Sequence, residues 1–274
     1  PETPIDPKAA GSALAAARAV GGVPQFAQRL VLGDAPIADD GSFSIEVPAN
    51  VPLELHLLDA DGVSLRSCGW IWVRNHEARG CIGCHEDGEL TPENLFPKAL
   101  AQEPVLIDPP PVLRRGIDFQ RDVMPIVSKK CLPCHGQGGS PPRLDVAPVS
   151  AGVPGANDAE AQARGVYQAL LAADDPTRQN AFGKYVHAGR ARTSPVVWHL
   201  FGRNTARPWD GPSAALAPKP IPADSRVKLT SEERALLVEW IDLGAQWSGI
   251  PPRGANVRPA HKRASEEVRA RDMR

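Results

Sequence analysis

Two short stretches share one pattern: Cys81-Ile-Gly-Cys84-His85 and Cys131-Leu-Pro-Cys134-His135. Thiols three residues apart lie on one helical turn, where both can form thioethers to a single porphyrin. The histidine that follows then reaches the iron as its proximal ligand. The rival chemistry is one zinc ion held by four thiolates, because paired CxxC motifs also build ribbon-type sites. Here a His follows each pair directly, and the stretch from Cys84 to Cys131 is longer than common ribbon spacing. The pattern therefore points to two haem c groups, attached through Cys81, Cys84, Cys131 and Cys134, with His85 and His135 as iron ligands.

The 274 residues can hold two small domains around separate cores. Proline is abundant at 29 residues and aromatics amount to 5%. That balance favours long, proline-stiffened loops over wide sheets. A covalently tethered porphyrin would supply the missing apolar volume. The net charge of −1 gives no bias toward nucleic acid or membrane lipid. No apolar run approaches the ~18 residues of a membrane helix. The chain begins at Pro1, which fits either a processed, exported product or one piece of a longer chain. Haem c is attached outside the cytoplasm, so a periplasmic or extracellular location is expected. One cysteine, Cys68, is left over; it is read as a small apolar residue just before a strand, or else as an intermolecular cross-link.

The elements that must position these motifs divide the chain into four. Residues 1–34, rich in Pro, Ala and Gly, read as an extended arm with one weakly helical stretch near Ser12–Val20. Residues 35–108 read as a β unit carrying the first motif. Phe43, Ile45, Val47 and then Leu53, Leu55, Leu57 alternate, Asp61-Gly62 marks a hairpin turn, and Trp70–Val73 makes a last strand. The strands are expected to form a small antiparallel sheet over ~35–75. Residues 109–250 read as a mostly α, loop-rich, cytochrome-c-like domain. Asp118 can cap a helix through Lys130 that delivers the second motif, with Phe119, Val123, Ile126 and Val127 on one face. A loop follows over Gly136–Gly155, then an amphipathic helix over Asp158–Ala172, with Ala161, Val166, Ala169 and Leu170 on one face. Ser194-Pro195 is an N-cap and N1 pair for a short helix to Phe201. Thr230-Ser-Glu-Glu233 is a capping box for the last helix, which buries Leu236, Leu237, Trp240, Ile241 and Leu243. The tail 251–274 is basic and is expected to lie on a neighbouring subunit. The fold class expected is α+β.

Four stretches carry a resemblance. They are Arg79–Glu86, Asp118–Pro125 leading into Cys131, His187–Pro195 with Trp198–Gly202, and Leu229–Trp247. Together with the β unit before the first motif, they resemble the haem-bearing half of hydrazine synthase alpha subunits, over roughly Gly41 to Trp247. The family places a Tyr close after its first CxxCH as an iron ligand. Here Glu86, Asp87, Gly88, Glu89 and Leu90 follow His85, and Tyr occurs only at Tyr167 and Tyr185.

Each iron has a second axial position. Methionine is scarce, and Met124 shares a helix with Cys131, too close to cross to the opposite ring face; core packing is its expected role. Related cytochrome domains place a Met-Pro-Pro turn before the last helix, whereas this chain has Lys219-Pro220-Ile221-Pro222. His187, in a loop before a Gly, and His199, on a short helix, both fall in the resembling segment after the second motif. They are the expected distal ligands, His187 for the second haem and His199 for the first; the bland alternative is a hydrogen-bonded, partly buried imidazole. His76 is read as a surface loop residue or an unusual ligand, His56 as facing away from the β core, and His261 as a solvated tail residue. The expected function is electron transfer by a low-potential, bis-His dihaem cytochrome working with other redox proteins or copies of itself. One rival is a haem enzyme, open at the first iron, that acts on a small nitrogen species or peroxide, with Glu86, Asp87 and Glu89 as acid or base. The other is an accessory subunit whose terminal arms hold a larger complex together.

Overall fold

The computed structural model describes residues 29–81, 96–110, 114–139, 142–146, 158–171, 185–215 and 227–247. Among these the strands are β1 (Ile45–Glu46), β2 (Leu53–Leu58), β3 (Ser64–Ile71) and β4 (Val105–Leu106). The helices are α1 (Met124–Lys130), α2 (Leu132–His135), α3 (Asp158–Leu171), α4 (Pro195–Phe201) and α5 (Ser231–Asp242). The fold is mixed α and β. Its described residues fall into two units: 29–30, 57–66 and 116–247 in the first, 31–56 and 67–115 in the second.

The first unit is built on a core that α1, α3 and α5 share. Phe119, Val123, Val127, Val166, Leu171, Val197, Val238, Trp240 and Ile241 are all buried there, joined by Val63 from the β2–β3 turn. Phe119 is the hub. Its ring meets Tyr167 edge-on at 5.1 Å, Trp240 at 5.3 Å and Trp247 in a stack at 5.7 Å. The polar tips of that cluster are satisfied: Tyr167 Oη donates to the Ala245 carbonyl and Trp240 Nε1 to that of Gln246. The capping box of α5 forms as expected, with Thr230 accepting from Glu233 N at 3.1 Å and Glu233 accepting from Thr230 N at 2.9 Å. Leu237, Trp240 and Ile241 are buried, while Leu236 and Leu243 are half-buried. On α3, Val166, Ala169 and Leu170 are buried and Ala161 is half-buried.

The hairpin tip is held on this unit by charge. Arg192, 8% exposed, pairs with Asp59 and donates to the carbonyls of Val63, Ser64 and Thr205. Asp242 accepts from Ala191 N at 2.8 Å and Ser64 N at 3.0 Å. The turn itself is drawn by Asp59, whose Oδ1 accepts from Asp61 N and Val63 N, with Gly62 at φ +75°.

A small antiparallel sheet forms as expected, but it does not take in every strand over ~35–75. Only β2 and β3 make the hairpin; β1 pairs in parallel with β4, Ile45 against Val105 and Glu46 against Leu106. Cys68 lies within β3 rather than before a strand, and it is half-buried. His56 is also half-buried, its Nε2 3.2 Å from Glu54 on the same face of β2, rather than turned to water. Trp70 and Trp72 are each about half exposed. The arm before residue 29, the tail with His261, and Lys219–Pro222 lie outside the described residues.

Candidate functional site

The helix that delivers the second motif starts where Asp118 accepts from Arg121 N at 2.9 Å, while Asp118 N donates to Asp122 at 2.8 Å. The first turn, Phe119–Val123, is a π-turn rather than regular α-helix, and α1 continues from it. Phe119 and Val123, four residues apart and so on one face, are both buried in the core. Met124 is buried in that core, as its expected packing role requires. At the far end Lys130 Nζ donates to the Lys228 carbonyl at 2.9 Å.

The chain then bends at Cys131 into the four-residue α2. Cys134 N and His135 N both donate to the Cys131 carbonyl, at 3.1 and 2.9 Å. That closes Cys131, Cys134 and His135 into one turn. Cys134 is exposed, whereas Cys131 and His135 are half-buried. Burial, and then the neighbouring Cys134, push the Cys131 thiol up to about 11.

Glycines seal the end of this turn. A Cβ on Gly136 would lie 2.6 Å from the Leu132 carbonyl oxygen, and one on Gly139 would lie 2.2 Å from that of Cys134. Between them Gly138 has φ +73°. The chain folds back so tightly that Leu144 N reaches the His135 carbonyl at 2.9 Å.

His187 belongs to the same unit. It opens a turn in which Arg190 N donates to the His187 carbonyl and Gly189 stands at φ +79°. Its Nδ1 is 2.8 Å from Thr193 Oγ1 and its backbone N donates to Ser194 Oγ at 2.8 Å. Ser194 was expected to cap α4; its hydroxyl is instead engaged with His187 and with the Arg190 carbonyl. This support was missed in the sequence, where the only signal is two hydroxyl residues returning six and seven positions after a His. His199 is half-buried on α4, with its Nδ1 buried.

Of the first motif only Cys81 is described; it is exposed and lies in the second unit. Cys84, His85 and the Glu86, Asp87, Glu89 cluster lie outside the described residues. Before Cys81 the turn Arg74–Glu77 holds His76 at φ +60°. Glu77 accepts from Arg74 N and Arg79, which hold its carboxyl below the usual range.

The donor set of the second motif fits a haem c: two thiols on one turn, an imidazole next to them, and an open side at Cys134. Among the described residues no three His, Cys, Asp or Glu side chains converge as a metal cage. No described helix is long and apolar enough to cross a membrane.

A family model, that of the hydrazine synthase alpha subunit middle domain, matches residues 5–86. Hydrazine synthase subunit alpha of Kuenenia stuttgartiensis is 27% identical over 289 aligned residues, covering 82% of this chain and 34% of that protein. A solved structure of Kuenenia stuttgartiensis hydrazine synthase matches with a TM-score of 0.61 and 29% identity, over 85% of this chain and 35% of its own. The chain thus resembles the alpha subunit of hydrazine synthase and spans about a third of its length. The family match begins well before Gly41, so the likeness takes in most of the segment read as an arm.

Proposed function

We propose that the chain is a dihaem cytochrome c that passes single electrons within a multi-subunit assembly. The observation that carries this reading is the Cys131–His135 turn, closed on itself, sealed by glycines and seated at the end of a core helix. The likeness to a protein named as a subunit supports the assembly. Bound haem c supplies a one-electron iron couple. Cys131 and Cys134 would hold one porphyrin by thioethers, with His135 and His187 as its axial ligands. Cys81, Cys84 and His85 would hold the other. Met124 is committed to the core, so an all-histidine axial set would keep the potential below that of a His/Met cytochrome. Attachment of haem c outside the cytoplasm would place the protein in the periplasm or outside the cell.

The test is a pyridine haemochrome count with low-temperature EPR of the oxidised protein. Two covalent haems per chain, both low-spin, are expected. Absence of covalent haem would overturn the proposal. A second reading, an enzyme with an open first haem, draws on the synthase name of the relatives and on a family match that runs through Cys81-Cys84-His85. A high-spin ferric signal from one haem would move that reading to first place.

A further inference from the structure

We infer that Arg234 is a binding residue for the haem attached at Cys131 and Cys134, its guanidinium holding a propionate carboxylate of that haem. The inference rests on the reading of the second motif as a haem c site. It starts from a charge without a counter-charge. Arg234 ends the first turn of α5 and is half-buried. Its Nε is buried and has no hydrogen-bond partner. No carboxylate among the described residues forms an ion pair with it. Three other arginines of the same unit are matched: Arg164 with Glu160, Arg192 with Asp59 and Arg207 with Asp210. A cation shielded from water is normally paired, and a guanidinium fork fits a carboxylate through two parallel N–H bonds.

The place of Arg234 selects the second haem. Lys130, the residue before Cys131, donates to the Lys228 carbonyl at 2.9 Å and lies 3.7 Å from Glu233. Arg234 follows Glu233, so it stands on the turn of α5 that docks at the entry to the Cys131–His135 turn. Its guanidinium carbon lies 5.2 Å from the centre of the Phe201 ring. Phe201 ends α4 and, like Leu132 beside Cys131, packs half-buried against the core. An aromatic face holds a guanidinium without taking any of its N–H donors, which stay available to an acceptor. Arg203 lies over the same ring at 5.9 Å, but Asp61 already matches its charge. The propionate arms of a haem supply the carboxylate that Arg234 lacks.

The experiment uses the haem-loaded full chain. Arg234→Met keeps an unbranched stem on Phe201 and removes the charge. Loss of one positive charge near the iron favours the ferric state by about tenfold at an effective dielectric of about 20. The potential of one haem should therefore fall by about 59 mV in a spectroelectrochemical titration, and the propionate bending band in resonance Raman spectra should shift. Arg234→Lys keeps the charge but not the fork, so it should hold the potential and still shift the band. An unmoved potential and band in Arg234→Met overturn the inference; an equal fall of potential in Arg234→Lys traces the effect to packing and also overturns it. Should Arg234→Met fail to fold, the band in Arg234→Lys decides, and an unshifted band there overturns the inference. Joint replacement Cys131→Ser and Cys134→Ser leaves the first motif alone to attach haem. In that background Arg234→Met should change nothing, and a persistent fall would take the carboxylate away from the second haem and overturn the assignment. Absence of covalent haem from the wild-type chain would instead overturn the motif reading, and this inference with it.

Discussion

Replacing Arg192 with Met would show whether the hairpin tip is latched by charge. Methionine keeps an unbranched stem of similar reach and donates nothing. The change strips Asp59 of its cationic partner and leaves the carbonyls of Val63, Ser64 and Thr205 without these donors. Arg192 is 8% exposed, so the bonds are shielded from water. Removing one member of a buried pair costs about 3–5 kcal/mol, against about 0–1 kcal/mol for a surface pair. For a unit of this size each kcal/mol shifts Tm by about 2–4 °C, so a drop of roughly 6–20 °C is expected by calorimetry. Asp59→Asn keeps the turn bonds to Asp61 N and Val63 N in shape, and the double variant should lose less than the sum of the singles. Hydrogen exchange at the Ser64 amide, which donates to Asp242, should accelerate in Arg192→Met before global unfolding. A Tm drop below about 2 °C with unchanged Ser64 protection would refute the latch, because the pair would then be behaving as a surface one.

Gly139→Ala would press a Cβ to within 2.2 Å of the Cys134 carbonyl oxygen, so backbone must move at the Cys131–His135 turn. About 1–3 kcal/mol of destabilisation and reduced haem incorporation are expected, whereas Gly80→Ala, with nothing within 4 Å, should stay within about 0.5 kcal/mol. In haem-free protein, alkylation followed by mass spectrometry should modify exposed Cys134 first and Cys131 only as pH approaches about 11. Asp40 accepts from Lys98 N and then Ser42, which lower its carboxyl to about 2. Because the folded value is depressed, this contribution is complete above the model-peptide value of 3.8 and is lost as pH falls toward about 2. The Lys98 amide shift followed by NMR should therefore move with a midpoint near 2; a midpoint near 3.8 would show that the bond does not persist in solution.

What could be read from the sequence is what the chain decides locally. The α5 capping box and the Asp118 cap depend on residues three or four apart, and both form. The CxxCH spacing likewise predicts its own turn. The parallel pairing of Ile45 with Val105 joins segments with the first motif between them, and no local pattern announces it. The π-turn over Phe119–Val123 is a backbone variation that helical periodicity does not record. Ser194 shows a competition for one hydroxyl: before a Pro it reads as a cap, yet a His seven residues earlier claims it. No local pattern ties Arg192 to Asp59, which lies far upstream.

The Val63 tip has a consequence for dissection of the chain. A fragment starting at Gly116 would keep Cys131, Cys134, His135 and His187 yet lack Val63, which is fully buried in their core. It would also lack Asp59, leaving the Arg192 guanidinium facing an open socket. The stretch 57–66 must therefore travel with the C-terminal segment in any excision, fusion or permutation. Supplied separately as a synthetic peptide, it should complement the fragment by binding rather than by folding.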